Sequence, residues 1–171
     1  MRIIAILLFF FWGLASFGQT TEINLKKKKL TSIPDSVFLN PSITSLNLSK
    51  NKIDSIPNKI EKLKSLKILD VSNNQLKKLP EAICELENLE ELIFFKNEIG
   101  EIPSCLVNLK KLTLIDGWAN NISYVYEILS PIKSLQRVEL QVNPIKLDEQ
   151  NLIIDALPQT TFKFSSDCGC R

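Results

Sequence analysis

The sequence contains no histidine. A His-based catalytic triad, a His-rich zinc site and the usual general base near neutral pH are therefore excluded. Glycine is scarce, at five residues, and neither G-x-x-x-x-G-K nor G-x-G-x-x-G occurs, so the phosphate-cradling loops of nucleotide-binding proteins are missing too. Charge of one sign is also lacking. There are 21 basic and 19 acidic residues, a net of +2, which gives no footing for a basic nucleic-acid binder or an acidic tail. No cofactor is implied, and the 171 residues suit a single domain.

What is present begins with an apolar amino terminus. Arg2 is the only charge before Glu22, the run Ile3–Leu14 is apolar, and small residues follow. This order is that of a secretory signal peptide over residues 1–18, with Ser16 and Gly18 at the −3 and −1 positions of a cut before Gln19. An uncleaved membrane anchor is the alternative, although the run is shorter than the roughly 20 apolar residues of a span. Either way the chain is expected to be exported, to the periplasm or outside the cell.

A fixed period occupies the rest. Asparagines recur at Asn51, Asn74, Asn97, Asn120 and Asn143, each 23 residues from the last. With the Asn as position 9, position 4 holds Leu46, Leu69, Leu92, Ile115 and Val138. Position 6 holds Leu48, Val71, Phe94, Gly117 and Leu140, and position 11 holds Ile53, Leu76, Ile99, Ile122 and Ile145. Position 15 is Pro34, Pro57, Pro80 and Pro103, then Tyr126. One step back from Asn51 the slot holds Lys28. Such a period is the mark of a solenoid.

The pattern L-x-x-L-x-L-x-x-N-x-L-x-x-[IL]-P resembles the 23-residue "typical" leucine-rich repeat, and the export signal fits an exported bacterial protein of that family. The resemblance covers six units, 20–42, 43–65, 66–88, 89–111, 112–134 and 135–157, within a solenoid spanning 19–157. Residues 158–171 read as a tail carrying Cys168-Gly169-Cys170. The fold implied is an α/β right-handed horseshoe, with a parallel sheet on its concave face and short helical or 3-10 turns on its convex face. Positions 4 and 6 flank one residue, so both point inward from a strand. The position-9 asparagines have the donors and acceptor to bond the backbone of neighbouring turns, forming a ladder. Proline at position 15 fixes φ where the chain starts its return.

Function is to be read from side chains that do not pack. Positions 5 and 7 point out of the concave sheet. The early units carry small polar residues there, while later ones carry Asp70, Ile93, Asp116 and Glu139 at position 5 and Phe95 and Trp118 at position 7. Lys96 and Arg137 stand beside them in the pattern. An outward aromatic pair rimmed by both charge signs is the composition of a binding hot spot. The competing reading is a cross-strand aromatic ladder that only stabilises the sheet. Gly117, replacing an apolar residue beside Trp118, suggests a space into which the indole leans and so favours that second reading.

The lysine run Lys26–Lys29 is expected to be a solvated, aggregation-resistant end of the sheet rather than a partner site. Cys84 and Cys105 fall on the convex return of successive units, where either a disulfide or two inert thiols would fit. Without histidine, Cys168 and Cys170 make a poor zinc site.

Three classes of function remain. The resemblance implies a non-catalytic module that binds a protein partner on its concave face. A structural envelope protein or adhesin is the alternative. A redox protein using Cys168 and Cys170 is the third, and the family's catalytic members carry a separate domain for which residues 158–171 are too few.

Overall fold

A computed structural model describes residues 21–165. The amino-terminal segment 1–18, the cut before Gln19, and Cys168 and Cys170 lie outside the described residues. Seven strands form one parallel sheet in chain order: β1 (Thr21–Asn24), β2 (Ile43–Asn47), β3 (Ile68–Asp70), β4 (Glu91–Ile93), β5 (Leu114–Asp116), β6 (Arg137–Glu139) and β7 (Thr161–Lys163). From β2 to β6 the pairing holds the sequence period, with Leu46 beside Leu69, Leu69 beside Leu92, and so on to Val138. Each of β2–β6 contributes a fully buried residue at position 4, while Ile23 of β1 and Phe162 of β7 are partly buried at the two ends.

Behind the sheet the chain returns through 3-10 turns at Asp35–Leu39, Asn58–Lys62, Glu81–Glu85 and Ser104–Asn108. Each follows a proline, Pro34, Pro57, Pro80 or Pro103, whose fixed φ and missing N–H suit the first position of a turn. The two units without that proline form α-helices instead, α1 (Tyr126–Leu129) and α2 (Leu147–Ala156). Tyr126 restores an N–H that proline would have removed. Glu149 of the next unit satisfies it: its Oε1 accepts from the backbone N–H groups of Tyr126 and, at 2.7 Å, Val125.

The asparagine ladder closes the turn after each of β2–β6. Asn97 Nδ2 donates to the carbonyls of Val71 (3.1 Å) and Phe94 (2.8 Å), and its Oδ1 accepts from the N–H of Leu76 (3.0 Å). Asn51, Asn74, Asn120 and Asn143 make the equivalent bonds. The residue before each ladder position turns the chain out of the strand at positive φ: Lys27, Lys50, Asn73, Lys96, Ala119 and Val142, all between 53° and 58°. Glycine fits this conformation best, yet none of the six is glycine.

Two features depart from the sequence reading. Thr161–Lys163, placed there in the tail, extend the sheet as β7. Phe162 and Phe164 occupy the inward positions, with ring centroids 5.7 Å apart, and close that end of the core. The pairing Val138 with Phe162 is one residue longer than the period, because α2 takes more chain than a 3-10 turn. The second departure is in the lysine run. β1 ends at Asn24, so Lys26–Lys29 lie in the turn beyond the strand and not in it.

Candidate binding face

The concave face changes character midway along the sheet, and position 7 makes the change. In the early units it holds Ser49 and Ser72, which are 2% and 1% exposed. Their hydroxyls bend onto the neighbouring position-5 side chain, Ser49 Oγ to Asn47 Oδ1 at 2.7 Å and Ser72 Oγ to Asp70 Oδ1 at 2.6 Å. These serines therefore lie down on the sheet and offer little to a partner.

Just beyond β4 and β5 the same column holds Phe95 and Trp118. Strand alternation sends Leu92 and Phe94 into the core and Ile93 and Phe95 outward. Phe95 and Trp118 stack with centroids 5.1 Å apart and planes 12° from parallel. Lys96 Nζ stands 4.7 Å from the Trp118 ring centroid. Both rings remain partly exposed. They form a flat aromatic shelf one strand spacing wide.

The exchange of serine for tryptophan leaves a carboxylate short of donors. Asp70 Oδ1 accepts from both the backbone and the hydroxyl of Ser72. Asp116 has no hydroxyl beside it, and its Oδ1 is buried with no partner among the described residues. Burial raises its pKa to about 6, against the opposing pull of the Trp118 backbone N–H. Glu139 behaves oppositely. Burial pushes it up, but hydrogen bonds from Lys163 and Arg137 outweigh burial and hold it below the usual carboxylate range.

Asp70, Ile93, Asp116 and Glu139 pair in sequence across β3–β6 and so make one continuous column. Arg137 is exposed at the outer end of β6 and Lys96 beyond the end of β4. The structure adds three residues that the sequence reading did not select. Gln141 continues the aromatic column, and its Oε1 is buried without a partner among the described residues. Val142, in the next column, is 61% exposed at positive φ. Lys163 arrives from β7, 3.0 Å from Glu139 Oε1. Gln141 and Val142 were findable from the column pattern; Lys163 was hidden by the slip in the period.

Gly117 does not serve Trp118. The space beside it is filled from within by Phe94, whose ring atoms lie 2.6 Å from where a Cβ would stand. Alternation puts Trp118 on the other side of the sheet, so the gap is a core gap.

Convex to all this, Cys84 and Cys105 are joined in a disulfide, with Cα atoms 5.8 Å apart. Among the described residues no group of His, Cys, Asp and Glu could hold a metal ion, and no helix is long and apolar enough to cross a membrane.

A family model for the leucine-rich repeat region matches residues 42–160. The chain belongs to the leucine-rich repeat family. A leucine-rich repeat protein of Leptospira interrogans is similar at 31% identity and a TM-score of 0.81, over 86% of this chain and 38% of that one. Internalin C2 of Listeria monocytogenes shares the fold at 24% identity and a TM-score of 0.75, over 85% of this chain and 61% of its own. The leucine-rich repeat ectodomain of an Arabidopsis thaliana membrane receptor kinase, solved in complex with Casparian strip integrity factor 2, gives 28% identity and a TM-score of 0.60. That match covers 67% of this chain and 14% of the ectodomain. This leucine-rich repeat chain thus spans less than two thirds of each of these structures. No curated protein matches it.

Proposed function

We propose that this leucine-rich repeat protein is an exported, non-catalytic interaction module that binds a protein partner across β4–β6. The observation that carries the proposal is the Phe95–Trp118 shelf, stacked and partly exposed on the concave face. Beside it are Asp116 and Gln141, which hold acceptors without partners, and the exposed Val142. Aromatic area bordered by polar groups is where binding energy concentrates. Export is supported by the signal pattern of residues 1–18 and by the Cys84–Cys105 disulfide, which belongs to an oxidising compartment. The plant ectodomain with a protein factor bound supports partner binding as a use of this scaffold.

The test is capture of partners from envelope extract by the wild-type protein and by Trp118→Ala, with partner affinity then measured for both. The variant is expected to fold and to bind about 30-fold or more weakly, the loss of a hot-spot side chain. Rim substitutions such as Arg137→Ala should cost less. If Trp118→Ala unfolds the protein, or binds the captured partner as wild type does, the shelf is sheet packing and the proposal fails.

A further inference from the structure

A second charged surface lies at the opposite end of the solenoid. Lys26, Lys27, Lys28 and Lys29 occupy the turn after β1, and Lys50 and Lys52 occupy the turn after β2. Six of the chain's 21 basic residues are thus gathered on two adjacent turns. The repeat forces Lys50 beside Lys27 and Lys52 beside Lys29, since each pair is one 23-residue period apart. The backbone is held there by Lys27 N–H to the Ser49 carbonyl (3.0 Å) and Lys52 N–H to the Leu30 carbonyl (2.8 Å). All six are exposed, and none forms an ion pair among the described residues.

Protection of a sheet edge does not account for this arrangement. The lysines are not in the edge strand, and Lys50 and Lys52 belong to the second turn, inside the edge. The arrangement also works against folding twice. Like charges in register on neighbouring turns repel, and Lys29, at φ 59°, adds a strained residue that the later units lack at that position. Repulsion retained at one surface points to a ligand of opposite charge that relieves it.

The chemistry of that ligand is restricted by what the turns lack. A discrete phosphate is normally held by converging backbone N–H groups. Here five of the six lysine N–H groups are already engaged: Lys26 N–H by Asn24 Oδ1, Lys28 by Asn51 Oδ1, Lys27 by Ser49 and Lys50 by Ser72 carbonyls, and Lys52 by Leu30. Phe38 is the only aromatic residue in these two units, and it is buried in the core, so no platform exists for stacking bases or sugar rings. What remains is a set of flexible point charges, with no rigid fork and no pocket. Such a set recognises a diffuse negative field spread over an area. We infer that the two lysine turns are an electrostatic docking surface for an anionic phospholipid bilayer, adsorbing the solenoid by its first two units and leaving the β4–β6 face free.

Co-sedimentation with vesicles tests this. Protein recovered from exporting cells is mixed with phosphatidylcholine vesicles, with or without about a third phosphatidylglycerol. Wild type should partition onto the anionic vesicles and not the neutral ones, and release as salt rises to about 0.5 M. Lys27→Asn/Lys50→Asn/Lys52→Gln should lower the partition about a hundredfold. Asparagine tolerates the left-handed conformation, so the thermal melt should survive. Lys27→Arg/Lys50→Arg/Lys52→Arg should retain binding, and Trp118→Ala should leave it unchanged, which separates this surface from the concave face. Equal binding to neutral vesicles overturns the inference, as does undiminished binding by the neutralised triple variant. Binding to soluble polyphosphate or heparin but not to vesicles overturns it as well, in favour of a polymer.

Discussion

The ring of Phe94 fills the space that a side chain on Gly117 would need: a Cβ there comes within 2.6 Å of Phe94 Cε2 and Cζ. The two residues are one period apart in the same inward column. Gly117 has no positive φ, so the glycine is there for volume and not for conformation. A large residue in one unit is matched by an empty one in the next.

Gly117→Ala should therefore destabilise the fold by about 1–3 kcal/mol through overpacking. In a Phe94→Leu background the same substitution should cost much less, because the smaller side chain vacates the space. A double-mutant cycle in urea measures the coupling. Additive effects would show that the two residues do not share the gap.

Asn97→Ala removes the partners of the Leu76 N–H and the Val71 and Phe94 carbonyls. A loss of about 1–3 kcal/mol is expected from those unpaired backbone groups. Lys28→Ala, at the equivalent but exposed slot of the first unit, should be close to neutral. Equal costs for the two would remove the energetic significance of the ladder.

Asp116 makes stability depend on pH in a definite direction. Its folded pKa of about 6 lies above the ordinary 3.8, so the folded state holds a proton that the unfolded state has released. Its contribution is complete below pH 4 and is lost as pH rises through 6. Solvent screening at this half-buried group limits the effect to about 1 kcal/mol. Asp116→Asn should flatten the stability profile between pH 4 and 7, as read by chemical denaturation across that range. An unchanged profile would show that Asp116 is not the titrating group.

The Cys84–Cys105 bridge ties the turn Glu81–Glu85 to the turn Ser104–Asn108 across a sequence separation of 21. Closing a loop of that size stabilises by about 3 kcal/mol. Reductant should lower the urea midpoint accordingly, and a non-reduced peptide map should contain the linked pair. Recovery of both cysteines as free thiols from protein purified without reductant would contradict the bridge.

The core and the sheet were legible in the sequence because one unbroken period kept every column aligned; reading Leu92 as buried required only counting. The seventh strand was not legible, for a physical reason. A strict 23-residue step from Val138 and Leu140 lands on Thr161 and Lys163, which are polar. Helix α2 adds one residue, and the inward positions pass to Phe162 and Phe164. On the concave face the outward column could be read residue by residue. The missing donor on Asp116 could not, because it depends on how the serines of other units fold down onto their neighbours. Gly117 misled for a similar reason: sequence shows that a side chain is absent, but not which neighbour takes the room.

The Phe94–Gly117 match also sets what can be exchanged along this chain. The second and third units present Leu48 and Val71 to their neighbours in this column, so duplicating or deleting the second would keep both phase and packing, while deleting the third would keep the phase and lose the Cys84–Cys105 bridge. The fourth and fifth cannot be parted in that way. A copied fourth unit would stack phenylalanine against phenylalanine, and a copied fifth would leave a void. Lengthening or shortening the array by recombination should therefore move them as one block of 46 residues, two periods long, and the aromatic shelf on the opposite side of the sheet would travel intact with it.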